Sequence, residues 1–236
     1  MLAQMPAIGI TGGISTGKSS FVACLREILP EARFFDADVA ARELVKGDPE
    51  VRGAIGKAFG TEACLPHGGL NREAIRSIVF ADAGKKRALE QILHPRIRRQ
   101  WSLEAERCRH STRLFFADIP LLYETGGETL CDRVVVVACS PSVQLERLRR
   151  RGASMDTRAP VEGRAPARPG SPNDEVSPEL RPPLDQVTAQ QMIDAQMPLK
   201  EKINRADHVV WNNGGREGLT AQARLLTQLW TEGTKT

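Results

Sequence analysis

Residues Gly12 to Ser19 read Gly-Gly-Ile-Ser-Thr-Gly-Lys-Ser, a complete match to the pattern G-x-x-x-x-G-K-[ST]. The match lies between an apolar run, Ala7-Ile8-Gly9-Ile10-Thr11, and an amphipathic run from Ser19 to Leu29 that ends near Pro30. A strand passing through such a turn into a helix confines the chain to an α/β architecture, because the helix has to fold back over the strand. The glycines let backbone N–H groups turn inward around phosphate oxygens, and the helix points its positive end at them. The pattern therefore assigns triphosphate contacts to Gly12, Gly13, Ile14, Ser15, Thr16, Gly17, Lys18, Ser19 and Ser20. Lys18 would reach the β- and γ-phosphates and the Ser19 hydroxyl would hold Mg²⁺. A chance glycine-rich turn would lack these flanks.

Downstream, short apolar runs alternate with helical patterns. Arg33–Asp36, Leu114–Asp118, Arg133–Ala138 and His208–Trp211 read as further strands, and Val134-Val135-Val136-Val137 is what a strand covered on both faces looks like. The alternation predicts a parallel sheet with helices on both sides. Leu219, Ala223, Leu226 and Trp230 recur at helical spacing and form one face of a closing helix. Two stretches interrupt this rhythm. Residues 39–111 are helical in pattern and far exceed one crossover helix, which predicts a substrate-binding subdomain there. An arginine-rich helix, Ser142–Arg151, leads into a proline-rich insert between Pro160 and Pro183 that has too few apolar residues to offset ordering entropy and reads as disordered. The expected organisation is one domain with a core at about 1–38, 112–140 and 206–236, the helical subdomain at 39–111, and a lid with the insert at 141–205.

The 236 residues suffice for a substantial core, and a net charge of +4 is too mild to imply a nucleic-acid partner. No apolar stretch approaches the roughly 20 residues of a membrane span, and the N-terminus has no basic leader, so neither a membrane partner nor a signal peptide is expected. Five cysteines at wide spacings, without a C-x-x-C pair, read as thiols in a reducing cytoplasm. The four histidines lack metal-ligand spacing. No dimer seam is visible, and a monomer suffices.

The phosphate loop names a nucleotide and not a reaction. The absence of Asn-Lys-x-Asp lowers a GTPase, and the absence of an apolar run ending in Asp-Glu lowers an ATPase acting on water. The sheet ends carry Asp36-Ala37-Asp38 and Asp118 instead. In open α/β sheets ligands gather at the carboxyl ends of strands, so these acids belong beside the phosphates.

At this point the chain resembles the dephospho-coenzyme A kinase family. The resemblance runs in order through Thr11-Gly12-Gly13-Ile14 with the loop, Asp36-Ala37-Asp38-Val39-Ala40-Ala41-Arg42, Phe59-Gly60, and Gly69-Leu70-Asn71-Arg72 with Val79-Phe80. It continues through Leu89-Glu90-Gln91-Ile92-Leu93-His94-Pro95, Asp118-Ile119-Pro120-Leu121-Leu122-Tyr123-Glu124, Gln144-Leu145-Glu146-Arg147 with Arg151, Gln196, Ala206-Asp207 and Asn212-Asn213-Gly214. It implies a nucleotide-kinase-like P-loop core with a helical substrate domain and a lid. The implied reaction carries the γ-phosphate of ATP, with Mg²⁺, to the ribose 3′-hydroxyl of dephospho-coenzyme A.

It also distributes roles. Asp38 would orient and deprotonate the hydroxyl, unless it merely caps a helix beginning at Val39. Arg147 and Arg151 lie one turn apart and would approach the transferring phosphoryl group with Lys18, whereas Arg149 and Arg150 suit a solvated face. Thr11, Arg42, His94, Arg96 and Leu121 would contact the acceptor. His94 could equally be a helix-terminal histidine, and Leu121 could belong to the packing beneath the acceptor. Asp118 would reach the Mg²⁺ shell through water, Asp36 is structural or an outer metal contact, and Asn212 lies beside the adenine. Ser15 and Thr16 stand where the family usually has Gly and Ser, so the backbone at Ser15 is expected to be unstrained. Met192 stands where the family often has an arginine. A kinase for another hydroxyl, or a nucleotide-dependent binding protein, are the competing readings.

Overall fold

The computed structural model describes residues 6–65, 69–109, 111, 113–152 and 183–232. Apart from Pro183, the proline-rich insert lies outside them. Five parallel strands form one sheet: β1 (Ala7–Gly12), β2 (Arg33–Asp36), β3 (Phe115–Asp118), β4 (Arg133–Ala138) and β5 (His208–Trp211), in the order β2-β3-β1-β4-β5. The helices are α1 (Lys18–Ile28), α2 (Ala37–Gly47), α3 (Pro49–Phe59), α4 (Arg72–Ala81), α5 (Ala83–Arg109), α6 (Pro141–Gly152), α7 (Gln186–Asp194), α8 (Leu199–Arg205) and α9 (Arg216–Glu232).

The period of two along each strand divides the core. Ile8, Ile10, Val135 and Val137 face α1 and α9, where Phe21, Leu25, Leu219, Ala223 and Trp230 close the layer. Ala7, Ala117, Val134 and Val136 face the other way, against Trp101 and Ala105 of α5, Ala37 and Ala40 of α2, and the flank of α8. Coverage on both faces is why the valine run does not alternate with polar residues.

A third cluster, separate from the sheet, joins α2 to α5 through Leu44, Val51, Ile55, Phe59, Ile75 and Leu93. Its helices start where the chain supplies an acceptor for their free N–H groups: Asp36 caps α2, Asp48 with Pro49 opens α3, and Asn71 caps α4. The cap of α2 corrects the alternative reading of Asp38. The helix starts at Ala37, and Asp36 accepts from the N–H of Asp38 at 2.9 Å and of Val39 at 3.0 Å. No helix among the described residues is long and apolar enough to cross a membrane.

Candidate active site

The carboxyl ends of β1, β2 and β3 meet at one edge of the sheet. Asp36 pairs in register with Asp118, and Asp118 with Ile10. β1 sits at the centre, with strands added on both sides of it, so the turn after it opens at the place where the connections diverge.

That turn is tightly held. Thr16 is fully buried, and both its N–H and its hydroxyl donate to Gly13 O, at 3.3 and 2.9 Å. Gly17 begins α1 at φ 94°, and a Cβ there would fall 1.9 Å from Asn212 Nδ2, so only glycine fits. The first turn of α1 carries neither a side-chain cap nor an acidic residue, which leaves its positive end available to an anion. Ser15 departs from the expected unstrained backbone. It lies at φ 60°, the left-handed region, and its buried hydroxyl has no partner among the described residues. For a non-glycine residue that conformation costs roughly 1–2 kcal/mol.

Four side chains from later in the chain grip the turn. Gln196 Oε1 accepts from Ile14 N–H at 2.9 Å, while Gln144 Nε2 donates to Ile14 O, also at 2.9 Å. Asn212 Nδ2 donates to Thr16 O at 2.9 Å. Arg147 donates to Asn212 O at 2.8 Å and more weakly to Thr16 O at 3.5 Å. Beneath them lies Lys202 of α8, with no exposed surface. It pairs with Glu124 at 2.8 Å and donates to Pro120 O at 3.2 Å and Gly12 O at 3.5 Å.

In the sequence Gln144 and Gln196 stand out only through the family resemblance. Lys202 had no signal at all, because Lys200-Glu201-Lys202 looks like an ordinary solvated helix.

Lys18 and Asp118 form a close ion pair with both side chains largely buried. Burial pushes the Asp118 carboxyl up from the ordinary range, Lys18 opposes this, and the nearby charges of Asp36 and Asp38 push it up further. The three acids therefore share one electrostatic neighbourhood. Asp38 is exposed, and its carboxylate has no ion-pair partner among the described residues. Ser19, also exposed, stands at the mouth of the turn.

A cavity of about 530 Å³ opens beside the turn, between Ser15, Gly17, Ser20, Arg147 and Asn212 and the start of α9 at Arg216. Arg150 also lines it, although its side chain is 79% exposed and pairs with Glu146 at 2.8 Å. Arg151 falls in the last turn of α6, and its side chain lies outside what the structure describes.

The remaining expected residues are scattered. Thr11 is buried and its hydroxyl donates to Pro120 O at 2.9 Å, which joins β1 to the loop after β3. Leu121 is partly exposed in that loop, where its carbonyl accepts from Thr125. Arg42 lies one turn beyond Asp38, with Nε donating to Asp38 O at 3.1 Å. Arg96 faces α3, with Glu50 at 3.7 Å. His94 is not helix-terminal: α5 runs unbroken through Pro95 to Arg109.

A family profile described as dephospho-CoA kinase matches residues 6–165. A curated dephospho-CoA kinase of Anaeromyxobacter dehalogenans is 39% identical over 231 residues, spanning 95% of this chain and 92% of the relative. One of Bacillus cereus is 32% identical over 224 residues, spanning 94% and 96%. Among solved structures, a protein of Thermus thermophilus superposes with TM-score 0.67 at 28% identity, over 96% of this chain and 98% of its own. The dephospho-CoA kinase of Campylobacter jejuni gives TM-score 0.65 at 20% identity over the same shares, a likeness of fold.

Proposed function

The chain belongs to the dephospho-CoA kinase family, and from that premise we propose that Asp38 directs the acceptor alcohol against an ATP held by the turn after β1. The reaction is transfer of the γ-phosphoryl group of ATP to dephospho-coenzyme A, giving coenzyme A, the last step of coenzyme A biosynthesis. The observation that carries the assignment of Asp38 is the division of labour between adjacent acids. Asp36 is occupied in capping α2 and Asp118 in pairing Lys18, while Asp38 is exposed and unpaired among the described residues beside them. A carboxylate in that state can accept a hydrogen bond from the ribose 3′-hydroxyl and take its proton as the new bond forms.

The N–H groups of the turn that are not already given to Gln196, Gly13 O or Gly17 O wrap the phosphates. Lys18 leaves Asp118 for the β- and γ-oxygens, since a polyanion is a stronger partner than one carboxylate. Arg147 of α6, and Arg151 one turn further along the same helix by the family resemblance, would supply guanidinium groups to stabilise charge spread over the equatorial oxygens. Asn212 and the cavity beside it receive the adenine.

The donor set suits Mg²⁺, which keeps waters and phosphate oxygens around it and asks few ligands of the protein. Ser19 would hold it directly and Asp118 through water. Bound there, it would offset the negative charge of the phosphate oxygens. The helices α2–α5 serve the acceptor, with Arg42, His94, Arg96, Thr11 and Leu121 on that side, and the working unit is a cytoplasmic monomer.

Purified protein with ATP and Mg²⁺ should phosphorylate dephospho-coenzyme A in preference to shikimate or nucleoside monophosphates. Asp38→Asn should keep the wild-type unfolding curve and lose roughly a hundredfold or more in kcat. Normal turnover by that variant removes Asp38 from the mechanism.

A further inference from the structure

Lys202 has no exposed surface and no part in the chemistry proposed above. It stands on the inward stripe of α8, with Leu199 one turn before it and Ile203 and Ala206 after it, all three packed against the second apolar cluster. Packing at such a position asks only for an apolar side chain. Exchanging a buried ion pair for apolar groups of similar volume is often neutral or even stabilising. Stability therefore does not account for a charge at this place, and what the charge touches has to.

Its partners are the ends of the two strands that carry the reacting groups. The ammonium donates to Pro120 O at 3.2 Å, where the Thr11 hydroxyl also donates at 2.9 Å, so both lone pairs of that carbonyl are used. Pro120 lies two residues beyond Asp118, and Gly12, reached at 3.5 Å, opens the phosphate turn. Glu124 completes the knot, accepting from Lys202 at 2.8 Å and from the N–H of Met197 at 3.1 Å. Met197 follows Gln196, which holds Ile14 of the turn. One buried charge thus pins the end of β1 to the loop that leaves β3. Resting on the function proposed above, we propose that Lys202 is a positioning residue for the transfer step, setting the spacing between the donor's turn and the acids that face the acceptor. The turn's N–H groups, Gln144, Gln196 and Asn212 hold the donor's loop without any bond to Lys202. The spacing of the two halves matters only when the acceptor oxygen closes on phosphorus in line. Its loss belongs in kcat rather than in KM.

Steady-state kinetics on Lys202→Met and Lys202→Arg test this, at a temperature where circular dichroism shows each variant folded. Methionine fills the space of the aliphatic stem and leaves Glu124, whose side chain is 22% exposed, to water. Lys202→Met should lower kcat roughly tenfold or more, while the KM values for ATP and for dephospho-coenzyme A change by less than about threefold. Lys202→Arg, which returns a charged donor, should recover most of that loss. Wild-type kcat in the folded methionine variant, a loss confined to KM, or an arginine variant no better than methionine overturns the role. Should Lys202→Met fail to fold, Glu124→Gln decides by the same constants, since its amide oxygen still accepts from Lys202 but without the charge. There kcat should fall roughly threefold or more at unchanged KM, and an unchanged kcat overturns the role. Wild-type protein that transfers nothing to dephospho-coenzyme A overturns the function itself, and that failure is visible before any variant is made.

Discussion

Lys202 brings a positive charge into the interior, where Glu124 and the carbonyls of Pro120 and Gly12 surround its ammonium. Water has been exchanged for one ion pair and two hydrogen bonds, and the exchange works only while all partners remain. Glu124→Ala should therefore cost about 3–5 kcal/mol in chemical denaturation, because it strands the fully buried Lys202 ammonium without its counter-charge. An unfolding midpoint equal to wild type would show that the pair is idle. Asp36 and Asp38 make the complementary point about what a residue's neighbours decide. The same residue type two positions apart becomes a cap in one case and an exposed carboxylate in the other, because only Asp36 precedes the first helical residue.

At the level of elements, the strands were legible to within a residue or so, since each is an apolar run bounded by turn residues. β3 starts at Phe115, one residue later than the run suggests. The long α5 was legible as helix but not in its continuity, because Pro95 usually ends or kinks a helix. Here the chain carries on beyond Pro95, and Trp101 and Ala105 bury against the sheet. The phosphate-binding turn could be read from its spacing alone. What grips it could not, because Gln144 and Gln196 stand on different elements far apart in sequence and no periodicity links them.

Both glutamines hold Ile14, one at its carbonyl and one at its N–H. One comes from α6, and the other follows α7, so each element bordering residues 153–182 is tied to the turn. Gln144→Ala and Gln196→Ala should each lose about 1 kcal/mol of stability, the usual worth of one hydrogen bond. Each should also raise the KM for ATP more than it lowers kcat. A double-mutant cycle should give coupling above the roughly 0.5 kcal/mol expected of independent sites, and strict additivity would mean the two contacts act separately.

Across the described residues three apolar clusters divide the core, and Tyr123, the chain's one tyrosine, reports on the second. The ring is 5% exposed, and the hydroxyl has no hydrogen-bond partner among the described residues. Burial pushes the phenol up to about 12, against the pull of the Arg205 guanidinium lying 4.3 Å from the ring centre. In the unfolded chain it ionises near the ordinary value of about 10. Between about 10 and about 12 the unfolded chain therefore releases a proton that the folded chain retains, so stability falls as pH rises through that window and is unaffected by this group below it. Tyrosinate absorbance should titrate near 12 in the native protein and near 10 in denaturant, and Tyr123→Phe should flatten the alkaline decline. A native midpoint near 10 would contradict the burial argument.

The contact between Lys18 and Asp118 has a consequence for timing. Until a nucleotide arrives, the protein supplies its own anion to the lysine, which keeps that side chain folded inward and ready. On the role proposed for Lys18, arrival of the triphosphate would exchange one anion for another without a large rearrangement of the loop. On the roles proposed for Lys18 and Asp38, the same exchange would release an acid next to Asp38 as the second substrate is received, so that a single displacement would prepare both halves of the reaction.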